Sequence, residues 1–95
     1  MFANAALGKL ETDRDFTAGF DVAIVRAYRK RMQQIRAADD ERDLYVLKSL
    51  HFEKLKGNRA HQRSIRLNDQ WRLILEIIAG RPKNRIRVCG IEDYH

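Results

Sequence analysis

Ser64-Ile65-Arg66-Leu67-Asn68-Asp69-Gln70-Trp71-Arg72-Leu73-Ile74-Leu75-Glu76-Ile77-Ile78 is the stretch that decides the fold class. Successive side chains of a strand point to opposite faces, so residues two apart share one. Trp71, Leu73, Leu75 and Ile77 fall on one face; Arg72, Ile74, Glu76 and Ile78 fall on the other. Asn68-Asp69-Gln70 is a short polar connection suited to a hairpin between two such runs. Gly80-Arg81-Pro82-Lys83-Asn84 reads as a turn. From Asn84 to Glu92 the alternation resumes, with Ile86 and Val88 opposite Arg85, Arg87 and Cys89.

Upstream of this stretch the period changes. Ala3, Ala6, Leu7 and Leu10 share one helical face, while Met1 to Asn4 leaves a strand start open. Asp21 is placed to cap a stronger helix running to about Ala38. Its apolar side carries Phe20, Ile24, Tyr28, Met32 and Ile35, with Val25 alongside. The other side carries Arg26, Arg29, Lys30, Gln33 and Arg36. Asp39-Asp40-Glu41 ends that stretch, and Leu44 and Leu47 fit a short helical turn. Helices followed by a run of strands predict an α+β fold, with a small antiparallel sheet covered by helices on one face.

The bulk numbers narrow the class. Ninety-five residues make one small domain, 1–95, with a single modest core and no linker, repeat or low-complexity segment. A net charge of +6 favours an anionic partner. Cys89 is the only cysteine, so no internal disulfide forms, which fits a reducing cytosol. No apolar run approaches the ~18 residues of a transmembrane helix, and Met1-Phe2-Ala3-Asn4 does not start a signal peptide, so cytoplasm is the expected location. The basic side of the second helix lacks Trp or bulky Leu anchors opposite it, so no membrane role is expected. No His-x-x-x-His or Cys-x-x-Cys pair and no phosphate-binding glycine loop occurs, so neither metal nor cofactor is expected.

Three separated segments agree in order and spacing with a known pattern. They are Leu55-Lys56-Gly57-Asn58-Arg59, then Ser64-Ile65-Arg66-Leu67-Asn68-Asp69-Gln70-Trp71-Arg72, then Asp93-Tyr94-His95. Together they resemble the HigB branch of the RelE/ParE toxins of type II toxin–antitoxin pairs, strongly over residues 50 to 95 and in layout only before that. The resemblance implies a RelE-like fold of two N-terminal helices on a small twisted antiparallel sheet. It also implies a HigA-type helix-turn-helix antitoxin as partner, with operator DNA met only through that antitoxin. The implied activity is metal-independent cleavage of mRNA in the ribosomal A site.

Such cleavage uses the ribose 2′-OH as nucleophile. It needs a base, a cation for charge growing on the phosphate, and an acid at the departing 5′-oxygen. By the resemblance, His95 is the acid–base group, with Asp93 favouring its imidazolium or orienting the ring. Arg72 offers a fork for phosphate oxygens and Lys56 a point charge. Arg59, Arg63 and Arg66 extend a basic patch suited to ribosomal RNA, and Tyr94 suits stacking on an mRNA base or packing on the sheet. One departure stands out: some HigB toxins use a histidine two residues before Leu-Lys-Gly, and here that position is Glu53. A carboxylate can serve as base, and His51 would share its strand face if the segment were extended. His61 falls in a loop.

Two other functions fit the same fold. A ParE-like poison of DNA gyrase needs no catalytic group, and the terminal histidine argues against it. A degenerate toxin would act only as an antitoxin-binding regulator, and Glu53 is the one hint of it.

Overall fold

The computed structural model describes residues 1–93; Tyr94 and His95, with the stacking and acid–base roles expected of them, lie outside the described residues. Helix α1 (Ala5–Thr12) begins where the Asn4 side-chain oxygen accepts the Leu7 backbone N–H at 3.1 Å. That bond satisfies one of the donors a helix start leaves open. Leu7 and Leu10 are its buried residues, while Ala6 is exposed. Ala3 precedes the helix. Its N–H donates to the Val88 carbonyl at 2.8 Å, and Phe2 bridges Val88 in parallel. The open question about Met1 to Asn4 therefore resolves as a one-residue bridge to the sheet, followed by a cap.

Helix α2 (Val22–Ala37) follows the expected stripe, with Ile24, Val25, Tyr28 and Met32 buried. Asp21 occupies the N-cap position, but its side chain makes no capping bond. Arg29 departs from the outward face assigned to it. Its Nε donates to the Leu10 carbonyl at 3.0 Å and a terminal nitrogen donates to the Asp13 carbonyl at 2.7 Å. The last carbonyls of α1 have no partner within that helix, and a guanidinium from the neighbouring helix reaches them. Helix α3 (Glu41–Val46) is capped by Asp40, whose carboxylate accepts the Arg42 N–H at 2.8 Å. A 3-10 turn, Lys48–Leu50, comes next. Leu44 and Leu50 are fully buried, whereas Leu47 stays on the surface.

Strands β1 (Glu53–Lys54), β2 (Gln62–Arg66), β3 (Trp71–Ile78) and β4 (Arg85–Asp93) form one antiparallel sheet in the order β1-β2-β3-β4. The β2–β3 hairpin is held by Asn68, whose side-chain oxygen accepts the N–H groups of Gln70 and Trp71, each at 2.8 Å. An Asx-type bond of this kind turns the chain without a glycine. Ile65, Leu67, Leu73, Leu75 and Val88 pack against the buried residues of α1, α2 and α3. Trp71, Ile77, Ile86 and Ile91 flank them on the same face, and the Phe20 ring meets Trp71 edge-on at 5.7 Å.

One irregularity interrupts the sheet. Ile74 pairs with Gly90 and Leu75 with Val88, so Cys89 has no partner on β3. This is a β-bulge, with one extra residue on β4. It keeps Val88 and Ile91 on the helix-covered face although they lie three residues apart.

Candidate functional site

Among the described residues the other face of the sheet carries no α-helix, and register says what stands on it. Residues paired across antiparallel strands point to the same side. Arg66, Arg72 and Glu92 make one row across β2, β3 and β4. Glu53, Ser64, Ile74 and Gly90 make the next row, and Gln62, Glu76 and Arg87 make a third. Arg72 thus points away from Trp71, Leu73 and Leu75, as its parity requires. Two arginines side by side repel, and each is answered locally. Arg66 pairs with Asp69 at the hairpin tip. Arg72 donates to the Asn68 carbonyl at 2.8 Å. Arg31 of α2 donates to the Arg66 carbonyl at 3.0 Å from beneath, and burial foremost, with Arg66 nearby, lowers its pKa.

The Leu55-Lys56-Gly57 segment leaves β1 and turns into a 3-10 turn, Gly57–Arg59. Gly57 has φ +67°, while a Cβ there would meet nothing within 4 Å. The glycine is needed for its backbone angle and not for space. Lys56 precedes it in extended conformation and is exposed. Its place is beyond Leu55, whose N–H bonds the Gln62 carbonyl at 3.1 Å, so it belongs to the end of the sheet that holds Gln62 and Glu76. Arg72 lies four residues along β3 from Glu76, about 13 Å at strand rise. Lys56 is also offset sideways, on the β1 side of β2, so more than this span separates it from Arg72.

Arg59 connects the two ends. Its Nε donates to the Gln62 side-chain oxygen at 2.7 Å, and its two terminal nitrogens grip both Glu92 oxygens at 2.9 and 2.7 Å. Gln62 stands on β2 and Glu92 on β4, so the guanidinium lies across β3 at the level of Ile74. Ile74 and Ser64 are buried at 3% and 1% exposure, although Ile74 is outside the main core. The Glu92 carboxylate raises the Arg59 pKa further and keeps the guanidinium charged.

The other candidates are spread over both faces of the sheet. Arg63 pairs with Leu75 and shares the face of Ile65, so it does not join Arg59 and Arg66. It donates to the Ala60 carbonyl at 3.1 Å, and its buried Nε has no hydrogen-bond partner. Glu53 is exposed on β1 opposite Ser64, on the helix-free side. His51 does not share its strand: β1 starts at Glu53, and His51 is in the left-handed region with φ 49° and ψ 51°. Asp93 pairs with Trp71 and accepts from the Gln70 side chain at 3.1 Å. His61 is exposed, with Nε2 3.7 Å from Glu76. Glu76 also takes the Cys89 thiol at 3.2 Å and Arg87 at 3.1 Å. The thiol bond first, then the Arg87 and His61 charges, hold its carboxyl below the usual range.

Glu92 and Gln62 are the residues that the sequence motifs did not single out. Their signal is register, since they flank Arg72 and Glu76 across the ladder. Among the described residues no group of three or more His, Cys, Asp or Glu is arranged to hold a metal. No described helix is long and apolar enough to cross a membrane.

A family model described as the RelE-like toxin of the type II toxin–antitoxin system HigB matches residues 1–88. That span takes in all three helices, the Leu55-Lys56-Gly57 turn and the sheet as far as Val88. No curated protein matches the chain.

Proposed function

The chain belongs to the HigB-like family of RelE-like type II toxins, and we propose that within it this protein is a ribosome-dependent mRNA endonuclease that works through the ribose 2′-OH without a metal. A type II toxin implies an antitoxin partner, here one of the HigA helix-turn-helix kind. The same reading makes residues 1–95 one toxin domain acting in the cytoplasm.

The observation that carries the reading is the helix-free face. Arg66 and Arg72 stand side by side on it, Arg59 crosses it, and Lys56 approaches from one end. A sheet fixes such groups before substrate arrives, and preorganised cations at a phosphate are worth ~10²–10³-fold in rate. A terminal nitrogen of Arg72 donates to the Asn68 carbonyl, so the hairpin sets the direction of its guanidinium. In the proposed reaction Arg72 and Lys56 stabilise the charge on the phosphate while Arg66 and Arg59 hold the flanking RNA backbone. Arg63 supports the same loop from the opposite face. His95 protonates the leaving 5′-oxygen, Asp93 favours its imidazolium or orients the ring, Tyr94 stacks on an mRNA base, and Glu53 takes the 2′-OH proton as base. General acid–base help of this kind contributes ~10²–10⁴-fold.

The test is to add purified protein to a defined translation system and map mRNA 5′ ends by primer extension, with and without ribosomes. Cuts confined to ribosome-bound message, and lost on deleting His95, are expected. Intact message in every lane would sink the proposal. A supercoiling assay would then separate a gyrase poison from a chain that only binds its antitoxin.

A further inference from the structure

We propose that the Glu92 carboxylate occupies a second RNA phosphate subsite and acts as a built-in competitor for Arg59. This deepens the endonuclease reading and rests on its RNA-binding part.

Four features converge on the position. Arg59 grips both Glu92 oxygens, at 2.9 and 2.7 Å, in the two-pronged geometry a guanidinium also gives a phosphate. Its Nε is fixed by Gln62 at 2.7 Å, so the fork stays aimed across the sheet when its partner changes. Gly90 lies beside this spot on β4, and a Cβ there would meet nothing within 4 Å. Among the described residues, there is room beside Gly90 for an incoming group next to the ion pair. Glu92 also stands in the row of Arg72 and Arg66, so a phosphate displacing it would sit next to the one those arginines bind.

Magnitudes favour exchange. Arg59 and Glu92 keep 41% and 45% of their side-chain surface exposed. An exposed ion pair of this kind shifts an equilibrium by about fivefold or less. RNA brings a full phosphate charge and releases counterions when it binds a cation. The carboxylate thus holds Arg59 in place and yields to RNA, at the cost of some affinity.

The test uses the full-length protein and a short single-stranded RNA, with binding read by fluorescence anisotropy over a range of salt. Glu92→Gln keeps the shape and removes the charge. It should bind RNA about two- to fivefold tighter at low salt, and the gain should shrink as salt rises and screens the competing ion pair. In an Arg59→Gln background the same change should give a clearly smaller gain, because the released cation is missing. No gain from Glu92→Gln would overturn the subsite, as would an equal gain in both backgrounds, which is a general charge effect. A gain seen only toward the purified antitoxin would assign the spot to that protein instead. Message cleaved on ribosomes without the Glu92→Gln gain sinks the subsite alone; the gain without any cleavage sinks the nuclease reading and leaves the subsite.

Discussion

The Tyr28 hydroxyl donates a 2.7 Å hydrogen bond to the Leu7 carbonyl oxygen, and both residues are buried. Helix α2 is thereby tied to α1 through a polar bond inside the core. Burial, and the Glu11 charge after it, push the phenol well above its ordinary pKa, so it remains a donor at any working pH. Tyr28→Phe should destabilise the protein by about 1–2 kcal/mol, since it removes the donor and adds no cavity larger than a hydroxyl. Urea unfolding checks this; an unchanged midpoint at an unchanged slope would show that the bond contributes nothing net.

Arg29 closes the same junction from outside. One guanidinium serves the Leu10 and Asp13 carbonyls together. Arg29→Lys should lose most of the benefit, because a point charge on a flexible stem cannot span both acceptors. About 1–2 kcal/mol is expected from hydrogen bonds to a charged donor. Thermal unfolding of the Lys and Met variants side by side is the check. A Lys variant as stable as the parent would mean that charge alone suffices.

The Glu11–Arg36 pair gives a pH signature. Its hydrogen bond with Arg36 outweighs burial and holds the Glu11 carboxyl below its ordinary value of 4.5. A folded-state pKa below the unfolded one adds stability that is complete above about pH 4.5 and is lost as pH falls through the folded value. The stability difference between the parent and Glu11→Gln should therefore be flat from neutral pH down to that point and shrink below it. A difference that grows on acidification would contradict the assignment.

Cys89 should react slowly. Burial first, and the Glu76 carboxylate after it, push its thiol up to about 12. Against a free thiol near ~8.5 that means on the order of a thousandfold less thiolate at pH 8. Maleimide labelling of the folded protein should be correspondingly slow, and Glu76→Gln should speed it. Labelling at the rate of an unfolded control would place the thiol in solvent.

For activity, Arg72→Ala should lower ribosome-dependent cleavage by ~10²–10³-fold. Growth inhibition should fall with it, while antitoxin binding persists. Arg72→Lys should recover little, for want of the fork. Full toxicity of Arg72→Ala would remove this side chain from the chemistry.

Much of this architecture is legible in the residues. The alternation from Trp71 to Ile78 names both faces of β3, so the direction of Arg72 follows from its parity. Asn68 marks the hairpin because its side chain can replace a backbone turn. Parity also separates Arg63 from Arg66, since Arg63 keeps step with Ile65 and Leu67; grouping the arginines as one patch by charge alone passes over that. Other contacts cannot be read this way. The partners of Arg29 are carbonyls, which carry no sequence signature. Arg59 and Glu92 stand thirty-three residues apart, and their meeting depends on the register of four strands. His51 falls outside the strand because the 3-10 turn before it ends in a left-handed residue, which a non-glycine position does not announce.

The bulge at Cys89 has one last consequence, for how β4 tolerates change in length. Its head, through Val88, and its tail, from Gly90, each alternate regularly, but out of phase, and the unpaired residue absorbs the difference. Removing Cys89 would leave Gly90 and Glu92 on the helix-free face and Ile91 on the core face, now in unbroken alternation. A residue inserted directly after Gly90 has no such slack, and would turn Ile91 to the helix-free face and Glu92 to the core face. The strand works as a splice: lengths are negotiable at the joint and fixed beyond it, so the part of β4 that carries Glu92 and Asp93 tolerates indels least.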